Sequence, residues 1–104
     1  RHAAFIPDHF CHALRAVGVG PGDAVATVSL TAVAAVAAIE AIGARPVLVE
    51  VDAERLTLDP ASLERLLATT QVKAVVPVHL YGQPADLPRI NALAERHGAL
   101  VIED

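Results

Sequence analysis

The sequence predicts an α/β fold: a three-layer αβα unit around a mostly parallel sheet. Three observations predict it. Short apolar runs rich in valine recur along the chain, a helical pattern separates each from the next, and Gly, Pro or Asp stands at the joins. Strands buried on both faces read as unbroken apolar runs, and a helix between consecutive strands lets them lie parallel. The chain has 104 residues, the size of one domain or of part of one. With 54% hydrophobic and 19% charged residues, it has the composition of a packed core, not of a disordered segment.

The elements follow in order. Residues 12–17 read as the end of a helix, with Gly18 as its left-handed cap. Pro21-Gly22-Asp23 is a turn, and residues 24–28 form a strand. A helix is expected over 31–42, with Ser29 or Thr31 as N-cap and Gly43 as its stop. Its alanines and flanking apolar residues suit burial on several sides. The next strand is expected over 46–51. Asp59 caps the following helix, and Pro60 takes its first position, where a missing N–H costs nothing. Leu58 and Leu63 can staple that cap, while Leu63, Leu66 and Leu67 make the buried stripe. A third strand is expected over 72–78 and a loop at Tyr81-Gly82-Gln83-Pro84. Asp86 caps a helix whose Leu87, Ile90, Leu93 and Ala94 share one face. Gly98 ends it, and residues 99–102 form the last strand.

The net charge of −4 argues against nucleic acid or an anionic membrane as the main partner, since both reward a basic face. The single cysteine, Cys11, excludes an internal disulfide and a cysteine-only zinc site, and it fits a reducing compartment. The longest nearly uncharged stretch, residues 24–39, is shorter than the ~20 residues of a spanning helix. No charged start leads into an apolar stretch with a cleavage site. Both ends of the chain, Arg1 and Asp104, read as cut from something longer.

In a parallel α/β unit the chemistry sits at the carboxyl ends of the strands. Those ends fall at 29–31, 50–52, 79–83 and 103–104. Gly18-Val19-Gly20-Pro21-Gly22 is not a phosphate loop, because it follows a helix and precedes a strand. His9, Cys11 and His12 would not converge on one metal from a helix, and no metal site is expected. His79 lies past a strand end, where a structural role in the loop is the simpler reading. Ser29-Leu30-Thr31 offers hydroxyls and free N–H groups to an anion or a ring cofactor, although helix capping explains the same residues. Glu103-Asp104 could pair with a protonated ring nitrogen, as the aspartate partner of a pyridoxal phosphate does. Capping of a following helix is the equal alternative. Lys73 is the sole lysine, and it stands at the start of a strand, away from those ends.

Taken together, several segments carry a resemblance. GVGPGDAVATVSLTAVAAVAAIEAIGARPVLVEVD, LTLDPASLERLL, KAVVPVHLYGQPADLPRINALAERHG and ALVIED resemble the DegT/DnrJ/EryC1/StrS family of pyridoxal-phosphate-dependent sugar aminotransferases. The likeness runs from about Ala13 to Asp104, and PVHLYGQPADL followed by a helix and VIED is its most specific part. It implies that residues 1–104 are part of a fold-type-I cofactor-binding large domain, with 1–12 an atypical N-terminal segment. It implies pyridoxal 5'-phosphate as cofactor and amino transfer, usually from glutamate, to a keto group on a nucleotide-linked sugar. Such sugars feed surface glycans or antibiotics. It also implies a cytoplasmic homodimer.

The residues carried over are three. Asp104 matches the aspartate that keeps the pyridine nitrogen protonated, and Thr31 matches a commonly retained hydroxyl. Ala32 matches a position where many members place an aromatic ring on the cofactor face; here it is a methyl. Two departures stand out. The family's Ser-Gly-Thr phosphate turn should fall near Phe5-Ile6-Pro7, which has neither glycine's freedom nor, at Pro7, an N–H. The family's Schiff-base lysine lies downstream of VIED, so this chain alone should not catalyse transamination. Two alternatives remain: a sugar dehydratase or regulator on the same cofactor scaffold, and a non-catalytic α/β remnant.

Overall fold

The computed structural model describes residues 8–28, 33–51, 57–77 and 86–102. Helix and strand alternate in the order α1 (Asp8–Ala16), β1 (Ala24–Val28), α2 (Val33–Ala41), β2 (Arg45–Val49), α3 (Pro60–Thr69), β3 (Ala74–Val76), α4 (Leu87–Arg96) and β4 (Leu100–Val101). The four strands form one sheet in the order β2-β1-β3-β4. Every pairing in it is parallel.

The helices begin and stop where local chemistry requires. At α3, the Asp59 carboxylate accepts hydrogen bonds from the Ala61 N–H and the Ser62 hydroxyl, both at 3.1 Å. Those contacts satisfy donors that a helix start leaves free. Asp86 accepts from the Arg89 N–H at 3.4 Å and caps α4 in the same way. Gly43 closes the chain after α2 at φ +82°, with Pro21 packed so near that a Cβ would lie 3.2 Å from its Cγ. Only glycine takes that backbone without strain.

The sheet has apolar layers on both faces. On one side Ala24, Ala26, Val28, Val49 and Val75 pack with Leu63 and Leu67 of α3 and with Ile90, Leu93 and Ala94 of α4. On the other, Val25, Ala74 and Val76 pack with Cys11 and Leu14 of α1 and with Ala38 and Ile39 of α2. Neighbouring residues of β1 thus serve opposite layers, as the alternation of strand side chains dictates. This is the αβα sandwich the sequence predicts.

Differences lie at the element ends. The first helix ends at Ala16, one residue before the expected Val17. The second strand starts one residue earlier and stops at Val49 instead of Val51. Val51 instead makes an antiparallel bridge to Leu58. The third and fourth strands are shorter than 72–78 and 99–102. Apolar composition runs past the last ladder pair, so it overstates strand length. Leu66 is only partly buried, whereas Leu63 and Leu67 are buried.

Candidate functional site

Strand order locates the site. The chain goes from β1 to β2 on one side, then returns so that β3 lies on β1's other flank. Helix α2 leaves β1 toward one face of the sheet, and α4 follows β3 on the opposite face. A reversal of strand order therefore lies between β1 and β3, where open α/β sheets carry a crevice at the carboxyl ends of the strands. Ligands of open α/β sheets bind at this kind of reversal.

The register fixes what reaches that crevice. Thr27 pairs with Val76 in β1 and β3. Val75 pairs with both Ala26 and Val101, so the last residue of β4 stands level with Ala26, two residues short of the end of β1. Strands spaced by about 4.8 Å put β4 roughly 10 Å from β1. Thr27 itself is fully buried, and its hydroxyl donates to the Val76 carbonyl at 3.1 Å. That bond ties the two strands beside the crevice; sequence reading treated Thr27 only as a strand position, and a hydroxyl in an apolar run was the signal.

The three residues carried over by resemblance, Thr31, Ala32 and Asp104, lie outside the described residues, as do Ser29, His79, Glu103 and the Phe5-Ile6-Pro7 turn. The described residues supply the platform on which such groups would stand. That platform fits a ring cofactor: the strands are all parallel, and a topological reversal lies between two of them. Lys73 is exposed at the start of β3, at the far end of the sheet, as expected of a residue that does not serve the crevice.

A polar cavity of about 660 Å³ lies at the opposite, incoming end of the strands, bordered by Asp23, Arg45, Thr70, Lys73 and His97. It sits away from the loops that carry chemistry in parallel sheets. No group of three metal-ligating side chains occurs among the described residues. No helix there is long and apolar enough to cross a membrane.

The chain is similar to several known proteins. A Geobacillus stearothermophilus protein named as a pleiotropic regulatory protein is 50% identical over 92 residues, covering 88% of this chain and 24% of its own length. The UDP-N-acetyl-3-dehydro-alpha-D-glucosamine 3-aminotransferase of Acidithiobacillus ferrooxidans is 48% identical over 92 residues, covering 88% and 25%. The crystal structure of S. venezuelae DesV superposes with a TM-score of 0.87 at 45% identity, over 92% of this chain and 26% of that one. Other structural neighbours were solved in pyridoxal phosphate or pyridoxamine phosphate forms. The chain spans about a quarter of the length of the curated relatives it matches. The sequence profile of the DegT/DnrJ/EryC1/StrS aminotransferase family matches residues 10–104, and the chain belongs to that family.

Proposed function

We propose that residues 1–104 form part of the cofactor-binding large domain of a pyridoxal-phosphate-dependent aminotransferase. The enzyme transfers an amino group, with glutamate as donor, to the keto group of a nucleotide-linked sugar. It works as a cytoplasmic homodimer. The observation that carries this reading is the reversal between β1 and β3, with β4 parallel on the outer side of β3. It supports a reading in which Thr31, which follows β1 in sequence, and Asp104, which follows β4, serve one cofactor. The family match supports the chemistry, and the named sugar aminotransferases among its relatives support the substrate class.

Bound pyridoxal phosphate supplies an electron sink for the substrate carbon, and protonation of its ring nitrogen deepens that sink. The Asp104 carboxylate is suited to hold that proton. Thr31 is suited to hydrogen-bond the cofactor, while Ala32 leaves its ring face open where relatives stack an aromatic. The lysine that anchors the cofactor is not among these residues, so the segment alone does not turn over substrate. One relative's regulatory name makes cofactor binding, rather than turnover, the first property to measure.

The test is an absorption titration with pyridoxal phosphate. The native full-length protein containing this segment acquires the shifted band of bound cofactor, and residues 1–104 alone do not. A full-length protein that stays colourless with the cofactor overturns the reading.

A further inference from the structure

The polar cavity of about 660 Å³ at the incoming end of the strands has no part in the function proposed above. The fold gathers its border from four elements. Arg45 of β2 pairs with Ala24 of β1, and the Lys73 N–H donates to the Ala24 carbonyl at 2.8 Å. Arg45 and Lys73 thus stand at the entrances of the two strands that flank β1, roughly 10 Å apart across two strand spacings. Lys73 rests its stem against Gly18, where a Cβ would meet its Cε at 3.7 Å, so its ammonium stands on the α1 side of the border. Helices α3 and α4 run back against the strands and deliver their last residues to the same end. Thr70 closes α3 and His97 closes α4, and both border the cavity.

The chemistry of that border is one-sided. Arg45 and Lys73 are permanent cations, His97 has a ring N–H, and Thr70 and Gln71 add neutral donors. Asp23 is the one carboxylate on the border, and its Oδ2 already accepts from the Gly20 N–H at 3.0 Å. Three basic groups against one acid run counter to a chain whose net charge is −4. Basic groups near helix C-termini commonly serve the last carbonyls. Here those carbonyls have other donors: Leu66 accepts from the Thr70 N–H, Ala94 from the His97 and Ala99 N–H groups, and Glu95 from the Gly98 N–H. Among the described residues, none of Arg45, Lys73 and His97 enters an ion pair. The border carries no Phe, Tyr or Trp on which a flat ring could stack. Cationic and neutral donors around a hollow of ligand size suit a compact anion with acceptors on every side, and a phosphate group is that anion.

We propose that this cavity is an anion site that takes a phosphate group, free or at the end of a small polar molecule, through Arg45, Lys73 and His97. The inference stands independently of the cofactor reading, since phosphate bound elsewhere in the protein does not respond to these three side chains. The native full-length protein is titrated by calorimetry at constant ionic strength, with inorganic phosphate in one arm and glycerol 3-phosphate in the other. Arg45→Gln and Lys73→Gln each weaken binding about tenfold, the scale of one charge-assisted hydrogen bond. His97→Ala weakens it about fivefold, the scale of a neutral one. Arg65→Gln removes an exposed charge on α3 that does not border the cavity, and it stays within about twofold of wild type. All four side chains are exposed, so the ligand-free variants melt where wild type does. The arm that binds more tightly tells free from esterified phosphate. A wild-type protein that binds in neither arm overturns the inference. So does binding that the three cavity variants leave unchanged, or a loss with Arg65→Gln as large as with Arg45→Gln, which would mark a general charge effect.

Discussion

Asp59 shows how one side chain decides where an element begins. Its carboxylate takes the Ala61 N–H and the Ser62 hydroxyl, and Pro60 beside it has no N–H to leave unpaired. Alanine would leave the first turn of α3 to water, with no other acceptor in place. Thermal melting of Asp59→Ala in the native full-length protein should show a loss of about 1 kcal/mol, the usual worth of an N-cap. An unchanged melting temperature would mean that packing of α3 sets its start without the cap. The exposed Arg96–Glu64 pair between α4 and α3, at 3.4 Å, is a contrasting case. Both groups are largely in water, so removing either changes stability little.

At the level of elements, α3 joins the outer layer to the sheet through few side chains. Leu63 is 0% exposed within the same cluster as Leu58, Val49 and Ile90. Leu63→Ala opens a cavity under β1 and β2 and costs about 2–5 kcal/mol, read from denaturant unfolding. A cost under about 1 kcal/mol would show that α3 packs loosely. The elements themselves were legible in the sequence, because their signals are local: Asp59 and Asp86 as caps, Gly18 and Gly43 as stops, valine runs as buried strands. Strand ends were less legible, since Val72 is as apolar as Val75, and only the ladder partner tells them apart. The strand order was not legible at all. Nothing in the composition of residues 45–49 says that they pair with β1 and that β3 takes its other flank. The candidate site was legible as segments past strand ends, and its residues came from the resemblance. Thr27 escaped notice because its role depends on a partner 49 residues away.

The whole molecule is a sheet with two outer strands, β2 and β4, and each bares a large apolar side chain among the described residues. Leu48 in β2 is 54% exposed and Leu100 in β4 is 44% exposed. Along β2, Val47 and Val49 turn to the layer that α3 and α4 cover. Leu48 alternates to the other face, where α1 and α2 leave it open. Outer strands with unpaired backbone groups and exposed leucines are templates for pairing with other chains. A net charge of −4 over 104 residues gives only modest repulsion against that association. Residues 1–104, prepared alone, should therefore self-associate in a concentration-dependent way, measurable by sedimentation velocity. Replacing Leu48 and Leu100 together with lysine should shift the distribution toward monomer, because a charge on an outer strand must be desolvated before a second strand can dock. A monodisperse, cooperatively melting monomer from the unaltered chain would contradict this, and would mean that both outer strands are protected by segments outside the described residues.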